Sequence, residues 1–267
     1  MPENNAYEPP TTTGPEEKKR RRKPRTLTRQ LIDIVVVLAF LGFLIGMLLP
    51  AVGTPRTVSH SSTCLNNIRQ IALAMLNYEN ANGHFPPAYI ADENGKPMHS
   101  WRVLILPYLE QEALYKQYSL DEPWDGPNNS KLHDIVVPGF QCPAVGRGEQ
   151  VTDTSYMVVT GKGTAFDGDH GTTFGEVSDG ASYTVTIVEV ANSGTHWMEP
   201  VDISLEEALA RFTDKSKVKD CCNHPRGCIN VSLMDGSTHT ITLPISAENL
   251  RAIATIDDGE AVDITDL

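Results

Sequence analysis

Sixteen consecutive residues, Ile34 to Leu49 (IVVVLAFLGFLIGMLL), carry no charged or hydrogen-bonding side chain. Nothing else in the chain limits its fold as strongly. As a helix rising about 1.5 Å per residue, the run covers about 24 Å. Extended to Leu31–Val52 it covers about 33 Å, enough to cross a hydrocarbon core of about 30 Å. No other stretch approaches that length, so the sequence predicts one transmembrane helix over residues 31–52.

The charges around this run give it a direction. Residues 1–30 hold eight Lys/Arg and four Glu, a net of +4. The whole chain has 22 Lys+Arg and 34 Asp+Glu, so 14 basic and 30 acidic residues follow, a net of −16. The positive-inside rule places residues 1–30 in the cytoplasm and residues 53–267 outside. Residues 1–17 are rich in Pro, Thr, Asn and Glu and predict a disordered start to the tail. The basic run Lys18–Arg25 is suited to anionic lipid, though as a topology signal it needs no ligand. A body this acidic repels phosphate backbones, which excludes nucleic acid as a partner. A cleaved secretory signal is the competing reading, with Ala51-Val52-Gly53 as its cleavage site. Its apolar region would be about 7–15 residues; the longer run and the polar leader favour a kept anchor in the inner membrane.

Beyond the anchor, Ile68, Ile71, Ala72, Met75 and Leu76 follow the i, i+3, i+4, i+7, i+8 pattern of a helix with one buried stripe. Ser62 or Thr63 is expected to cap its start, and Gly83 before Phe85-Pro86-Pro87 to end it. In Ser100–Leu120, Pro107 is expected to separate a short turn or strand from a helix over 108–118. Val/Thr/Tyr runs in TSYMVVTGKGTAF and ASYTVTIVEVA read as strands. Ser204 and Glu207 form a capping box that opens a short helix through Phe212. Ile229–Leu243 reads as a hairpin around Asp235-Gly236, and Ser246 as the cap of a last helix through Ala254. This order predicts an α+β domain with an antiparallel sheet, reached through the transmembrane helix.

The motifs LLPAV, CLNNIRQIALAMLNYENANGHFPP, SWRVLILPYLEQEALY, DEPWDGPNN, CPA, TGKGTAF, DGASYTVTIVEV and HPRGCINVSLMDGST stand in one order from Leu48 to Thr238. Together they resemble the bacterial prepilin-like family catalogued as domain of unknown function 1559, sometimes labelled a solute-binding-protein family. The resemblance implies a pilin-type N-terminal helix joined to a pilin-like extracytoplasmic domain. It also implies that Asp33, standing where the family has Glu, is an assembly or anchor contact. The family's processing motif, Gly-Phe-Thr-Leu-x-Glu, falls here on Thr28-Arg29-Gln30-Leu31-Ile32-Asp33. Its Gly and Phe are absent, so the expectation is an uncleaved single-pass anchor. In the family's C-terminal motif, ten residues separate His224 from Asp235-Gly236, where the family usually has nine, so the approach to the hairpin is expected to differ.

The five cysteines, Cys64, Cys142, Cys221, Cys222 and Cys228, all follow the apolar run. An oxidising compartment favours disulfides. Cys64 and Cys142 both lie in family motifs and are one expected pair; Cys221 or Cys222 with Cys228 is another. The odd count leaves at least one thiol outside any internal pairing. A metal set of Cys221, Cys222, His224 and Cys228 has the right ligand types but adjacent cysteines in place of the usual C-x₂₋₄-C spacing, so no metal is assigned. Gly161-x-Gly163 has Phe166 where a dinucleotide loop needs its third glycine. Asp167-x-Asp169 begins like a calcium loop, but Gly171 replaces a third oxygen ligand. Ser182, His170 and Asp179 are hydrolase residue types without the G-x-S-x-G turn. His224 and His239 read as ordinary surface or loop histidines. Trp101, Trp124, Trp197, Tyr108, Tyr115 and Tyr118 suit either a sugar- or peptide-binding face or the core, and their apolar neighbours favour the core. The sequence thus points to a non-enzymatic envelope protein without cofactor. Its expected partners are the membrane and envelope or secretion-system proteins. An anchored solute- or glycan-binding module is the alternative, and oligomerisation is left open.

Overall fold

The computed structural model describes residues 27–48, 56–143, 152–218, 227–259, 262 and 264. The chain divides into two units, Met1–Thr54 and Pro55–Leu267. In the first, helix α1 (Leu27–Leu48) takes up the apolar run. Its apolar side chains from Leu31 to Leu44 are exposed, including Phe40 and Phe43. No helix among the described residues is long and apolar enough to cross a membrane. The side chains of α1 are described at Leu27, Thr28 and 31–44, whereas the expected span over 31–52 reaches beyond them.

The second unit opens with helix α2 (Arg56–Asn82). Ser62 and Thr63 lie inside it and do not cap its start. The stretch Arg56–Thr63 contains neither Gly nor Pro, so nothing in it stops the helix from beginning earlier. The expected stripe is buried at Ile68, Ile71, Ala72 and Met75, Leu76 is partly buried, and Cys64 extends the buried face one turn back. Gly83 ends the helix with φ +80, and its N–H bonds to the Glu79 carbonyl at 2.6 Å.

A small hairpin, β1 (Tyr89–Ala91) and β2 (Pro97–Ser100), leads into three short helical pieces. These are α3 (Trp101–Leu104), a 3₁₀ turn (Leu106–Leu109) and α4 (Glu112–Tyr115). The continuous helix expected over 108–118 does not form. Pro107 occupies the first turn of the 3₁₀ segment, and Glu110 adopts a left-handed φ of 59° that ends it.

Strands β3 (Tyr156–Met157), β5 (Val185–Glu189), β7 (Cys228–Leu233) and β8 (Thr238–Thr242) form one antiparallel sheet in that order. β4 (Val159–Thr160) and β6 (Ile203–Ser204) pair in parallel beside it, a pairing the sequence did not announce. Helix α5 (Leu205–Phe212) starts at the expected Ser204–Glu207 capping box. Helix α6 (Ala247–Ala254) starts at Ser246, whose side chain accepts from the Asn249 N–H.

The β7–β8 hairpin turns at Asp235-Gly236. Gly236 has φ +83, and a Cβ there would lie 2.7 Å from Leu76 Cδ1 on α2. A side chain is therefore opposed by the backbone conformation, and it would also have to displace the tip of Leu76. Two packed regions result. One gathers α2 and the aromatic segments on one face of the sheet; the other gathers α5 and α6 against Val159, Val188, Ile229 and Val231.

Candidate functional site

The apolar segment SWRVLILP buries a charge. Arg102 is fully buried, and its guanidinium meets the buried Asp202 carboxylate at 2.5 Å. Ser100 Oγ accepts from Arg102 Nη1 at 2.9 Å, and the Tyr156 carbonyl accepts from Nε and Nη2 at 3.2 and 3.1 Å. Asp202 also accepts from the Trp101 indole at 3.0 Å and from the Val158 N–H at 3.0 Å. The guanidinium carbon sits 4.7 Å from the Trp101 ring centroid. Burial pushes the Asp202 carboxyl up and the Arg102 side chain down, each opposed by the partner's charge. Three segments, Ser100–Arg102, Tyr156–Val158 and Asp202, thus converge on one ion pair whose hydrogen-bonding groups are satisfied. That condition is what makes a buried pair tolerable. Asp202 was not singled out from the sequence; the signal available was the lone Arg in an apolar stretch, which demands an acidic partner.

Asp202 also lines a cleft of about 270 Å³ with Met157, Val190, Ile203, Glu207 and Arg211. The charged groups of this cleft already have partners. Glu207 accepts from the Ser204 N–H and hydroxyl, which hold its carboxyl below the usual range, and Arg211 donates to the Ala191 carbonyl.

Cys64 on α2 and Cys142 form a disulfide with Cα atoms 5.2 Å apart. The Tyr156 hydroxyl donates to the Cys64 carbonyl at 3.2 Å. Asn67, one turn on from Cys64, donates to the Gln141 carbonyl at 2.8 Å. The clamp therefore extends beyond the sulfurs, and it accounts for CLNN and CPA in physical terms. Cys228 is buried at the start of β7. Cys221, Cys222 and His224 lie outside the described residues, so the second cysteine pairing and the metal set on them lie there too. Asp33 stands in α1 among exposed side chains.

DEPWDGPNN has a local explanation. The buried Asn129 side chain donates to the Ser119, Glu122 and Pro123 carbonyls and accepts from the Ser119 N–H. Glu122 accepts from the Asn128 and Asn129 N–H groups at 2.6 and 2.7 Å. Beyond this brace Trp124 stacks on His133 and His196, with ring centroids at 5.2 and 5.8 Å. The Met198 N–H donates to His196 Nδ1 at 3.1 Å, so Nε2 donates to the His133 carbonyl at 2.9 Å. Burial holds the His196 imidazole below its ordinary pKa, against the bond to the His133 carbonyl, which raises it. His99 is likewise held down by burial; its Nε2 faces the Leu120 carbonyl and its Nδ1 the Tyr118 hydroxyl. Trp101, Trp197 and Tyr118 are core residues, and Trp124, Tyr108 and Tyr115 pack partly buried against them.

The hydrolase trio does not assemble. His170 bonds to Glu176 at 2.8 Å. Asp179 accepts from the Asp258 and Gly259 N–H groups, and Ser182 bonds to Asp235. Burial raises the Asp235 carboxyl, but bonds from Ser237 and Ser182 outweigh it and hold the group below its usual range. Glu176 is held down to about 2, chiefly by the Thr173 N–H and hydroxyl and then by His170. Asp167 and Asp169 join no group of three metal-capable side chains among the described residues. Behind β4, Gly161-x-Gly163 enters turns and no helix. His239 contacts Ser237 Oγ at 3.2 Å beside the hairpin turn.

A family model described as "Protein of unknown function (DUF1559)" matches residues 56–219, more than half of the 267 residues. No curated protein and no solved structure matches the chain.

Proposed function

The chain belongs to the DUF1559 family of proteins of unknown function, and from that premise we propose that it is a membrane-anchored, prepilin-like envelope protein with a structural or interaction role. The observation that carries the reading is the buried Cys64–Cys142 disulfide. Such bonds persist outside the reducing cytoplasm, so the body belongs on the outer side of the inner membrane. The +4 tail and −16 remainder argue for the same orientation from independent residues. The exposed apolar surface of α1 supports a single span, with Asp33 as the candidate lateral contact. The domain is then presented at the envelope beside secretion or pilus-like machinery, and its role is contact, not catalysis.

Reporter fusions to the full chain test this. Alkaline phosphatase at the C-terminus is expected to be active, and green fluorescent protein ahead of Met1 to fluoresce, with both in the membrane fraction and Met1 retained. An inactive phosphatase, or an N-terminus beginning at Arg29 or beyond Val52, overturns the anchored topology.

The cleft beside Asp202 favours a second reading, an anchored module for a small envelope solute or glycan. It ranks behind because the charged side chains of the cleft, Asp202, Glu207 and Arg211, are engaged within the protein. A thermal-shift screen of the detergent-solubilised full chain against amino acids and sugars separates the two: a saturable stabilisation supports the module, and none leaves the presentation role.

A further inference from the structure

We propose that Cys64, Cys142 and Glu189 form a binding site for a thiophilic divalent cation of the zinc class whenever the disulfide between the two cysteines is open. The two Sγ atoms and a Glu189 carboxylate oxygen all lie within 4.8 Å of one another. They come from three separate parts of the domain: α2, the segment following the 3₁₀ turn Pro138–Phe140, and the last residue of β5. All three residues are buried. Thiolate and carboxylate are both zinc ligands, at about 2.3 Å and about 2.0–2.2 Å. With Cα atoms 5.2 Å apart, both sulfurs reach one ion by side-chain rotation alone.

The surroundings already orient the carboxylate. Asn230 Nδ2 donates to Glu189 Oε2 at 2.7 Å, and Asn230 Oδ1 accepts from the Thr240 hydroxyl at 2.8 Å. This chain runs across β5, β7 and β8 and fixes Glu189 as outer partners fix metal ligands. The site is distinct from the cysteine and histidine set near residues 221–228.

The chemistry balances without an unnamed reactant. Before the disulfide is first made, the chain carries both thiols. Afterwards a dithiol reductant opens the bond, delivering two electrons and two protons and itself becoming a disulfide. When the cation binds, each thiol releases its proton to solvent and each thiolate takes a coordination position. Glu189 supplies an oxygen, and a fourth position stays open. In the reverse direction a disulfide oxidant takes two electrons from the thiolates by exchange and, with two protons from solvent, leaves as a dithiol; the new Cys64–Cys142 bond removes both sulfur ligands and expels the ion. The cation thus holds α2 to β5 in the state that lacks the covalent clamp.

The test uses the full chain in detergent micelles, with Cys221→Ser, Cys222→Ser and Cys228→Ser removing the other thiols, reduced with a phosphine. Cobalt(II) serves as the probe for zinc. One equivalent is expected to give thiolate-to-cobalt charge-transfer absorption and tetrahedral visible bands, with two protons released and zinc displacing the cobalt. The oxidised protein is expected to give neither signal. Glu189→Gln, which keeps the shape and an acceptor for Asn230, is expected to weaken binding at least tenfold. X-ray absorption at the zinc edge of the unaltered ligand set is expected to show two sulfurs with oxygen neighbours. Absence of the cobalt–thiolate bands overturns the proposal, as does a shell of four sulfurs or of none. Unchanged affinity in Glu189→Gln, or a reduced chain that stays unfolded with and without the cation, also overturns it.

Discussion

The two faces of the antiparallel sheet are built by different chemistry. Along β7, Ile229, Val231 and Leu233 point to the side of α5 and α6, and Asn230 and Ser232 to the side of α2. On β5 the register shifts between Val185 and Ile187, so Val185 and Val188 share the aliphatic face while Ile187 joins the α2 side. The α5–α6 side is held by non-directional burial, which tolerates repacking. The α2 side holds the disulfide, Glu189–Asn230, Arg102–Asp202 and the histidine stacks, whose bonds have required geometries. The difference teaches that the aliphatic side supplies cohesion, whereas the α2 side fixes where α2 and the loops behind it lie.

That comparison can be broken or sharpened by experiment. The largest loss is expected from Cys64→Ser with Cys142→Ser. Their sequence separation is 78, and a closed loop of that order is worth about 4.5 kcal/mol on the chain-entropy account. Urea unfolding in reducing and oxidising buffer measures it, and a loss below about 1 kcal/mol would break the picture of a covalent clamp on this side. Next, Arg102→Met leaves Asp202 buried without its counter-charge and is expected to cost about 3–5 kcal/mol. Adding Asp202→Leu should recover part of that loss, and a double variant no better than the single would show that the pair does not act as a unit. On the aliphatic side, Leu250→Ala is expected to cost about 3 kcal/mol, while Leu250→Met should cost less than about 1.5 kcal/mol. If Leu250→Met proves as damaging as the alanine, the two faces are equally specific. Ser204→Ala removes the α5 cap and should cost about 1 kcal/mol by the same unfolding assay.

The mildest perturbation removes no atom. His99 and His196 are held below their ordinary pKa, so the unfolded chain, titrating near about 6.5, binds more protons there than the folded one. Stability is full above about pH 6.5 and falls as the pH drops towards the folded-state values, below which no more is lost. Denaturant midpoints between pH 7 and pH 5 should decline. His196→Gln should flatten the slope, whereas Leu250→Met should leave it unchanged.

What the sequence showed and what it hid divide along contact range. The α2 stripe, the Ser204–Glu207 box, the Ser246 cap and the Asp235-Gly236 hairpin rest on residues a few positions apart, and their periodicity and turn chemistry can be read directly. The pairing of Cys64 with Cys142 came from resemblance to a family, not from spacing. Asp202 lies 100 residues from Arg102, and nothing in its neighbourhood marks it as the partner. Glu189 closes a strand of β-branched residues and reads as an ordinary solvent-facing end until the sheet is assembled. The breakup of 108–118 turned on the left-handed backbone at Glu110, a position where the sequence offers no glycine. In each case the missing information was the identity of a distant neighbour or a backbone state no residue type announces.

The Cys64–Cys142 bond also decides how the protein responds to being cut. A single proteolytic nick in the chain between these cysteines leaves the downstream body tied to everything ahead of Cys64 through sulfur. The aromatic segments and the Asn129 brace all lie inside that ring. An endoprotease that clips one of their surface loops therefore scars the domain without shedding it.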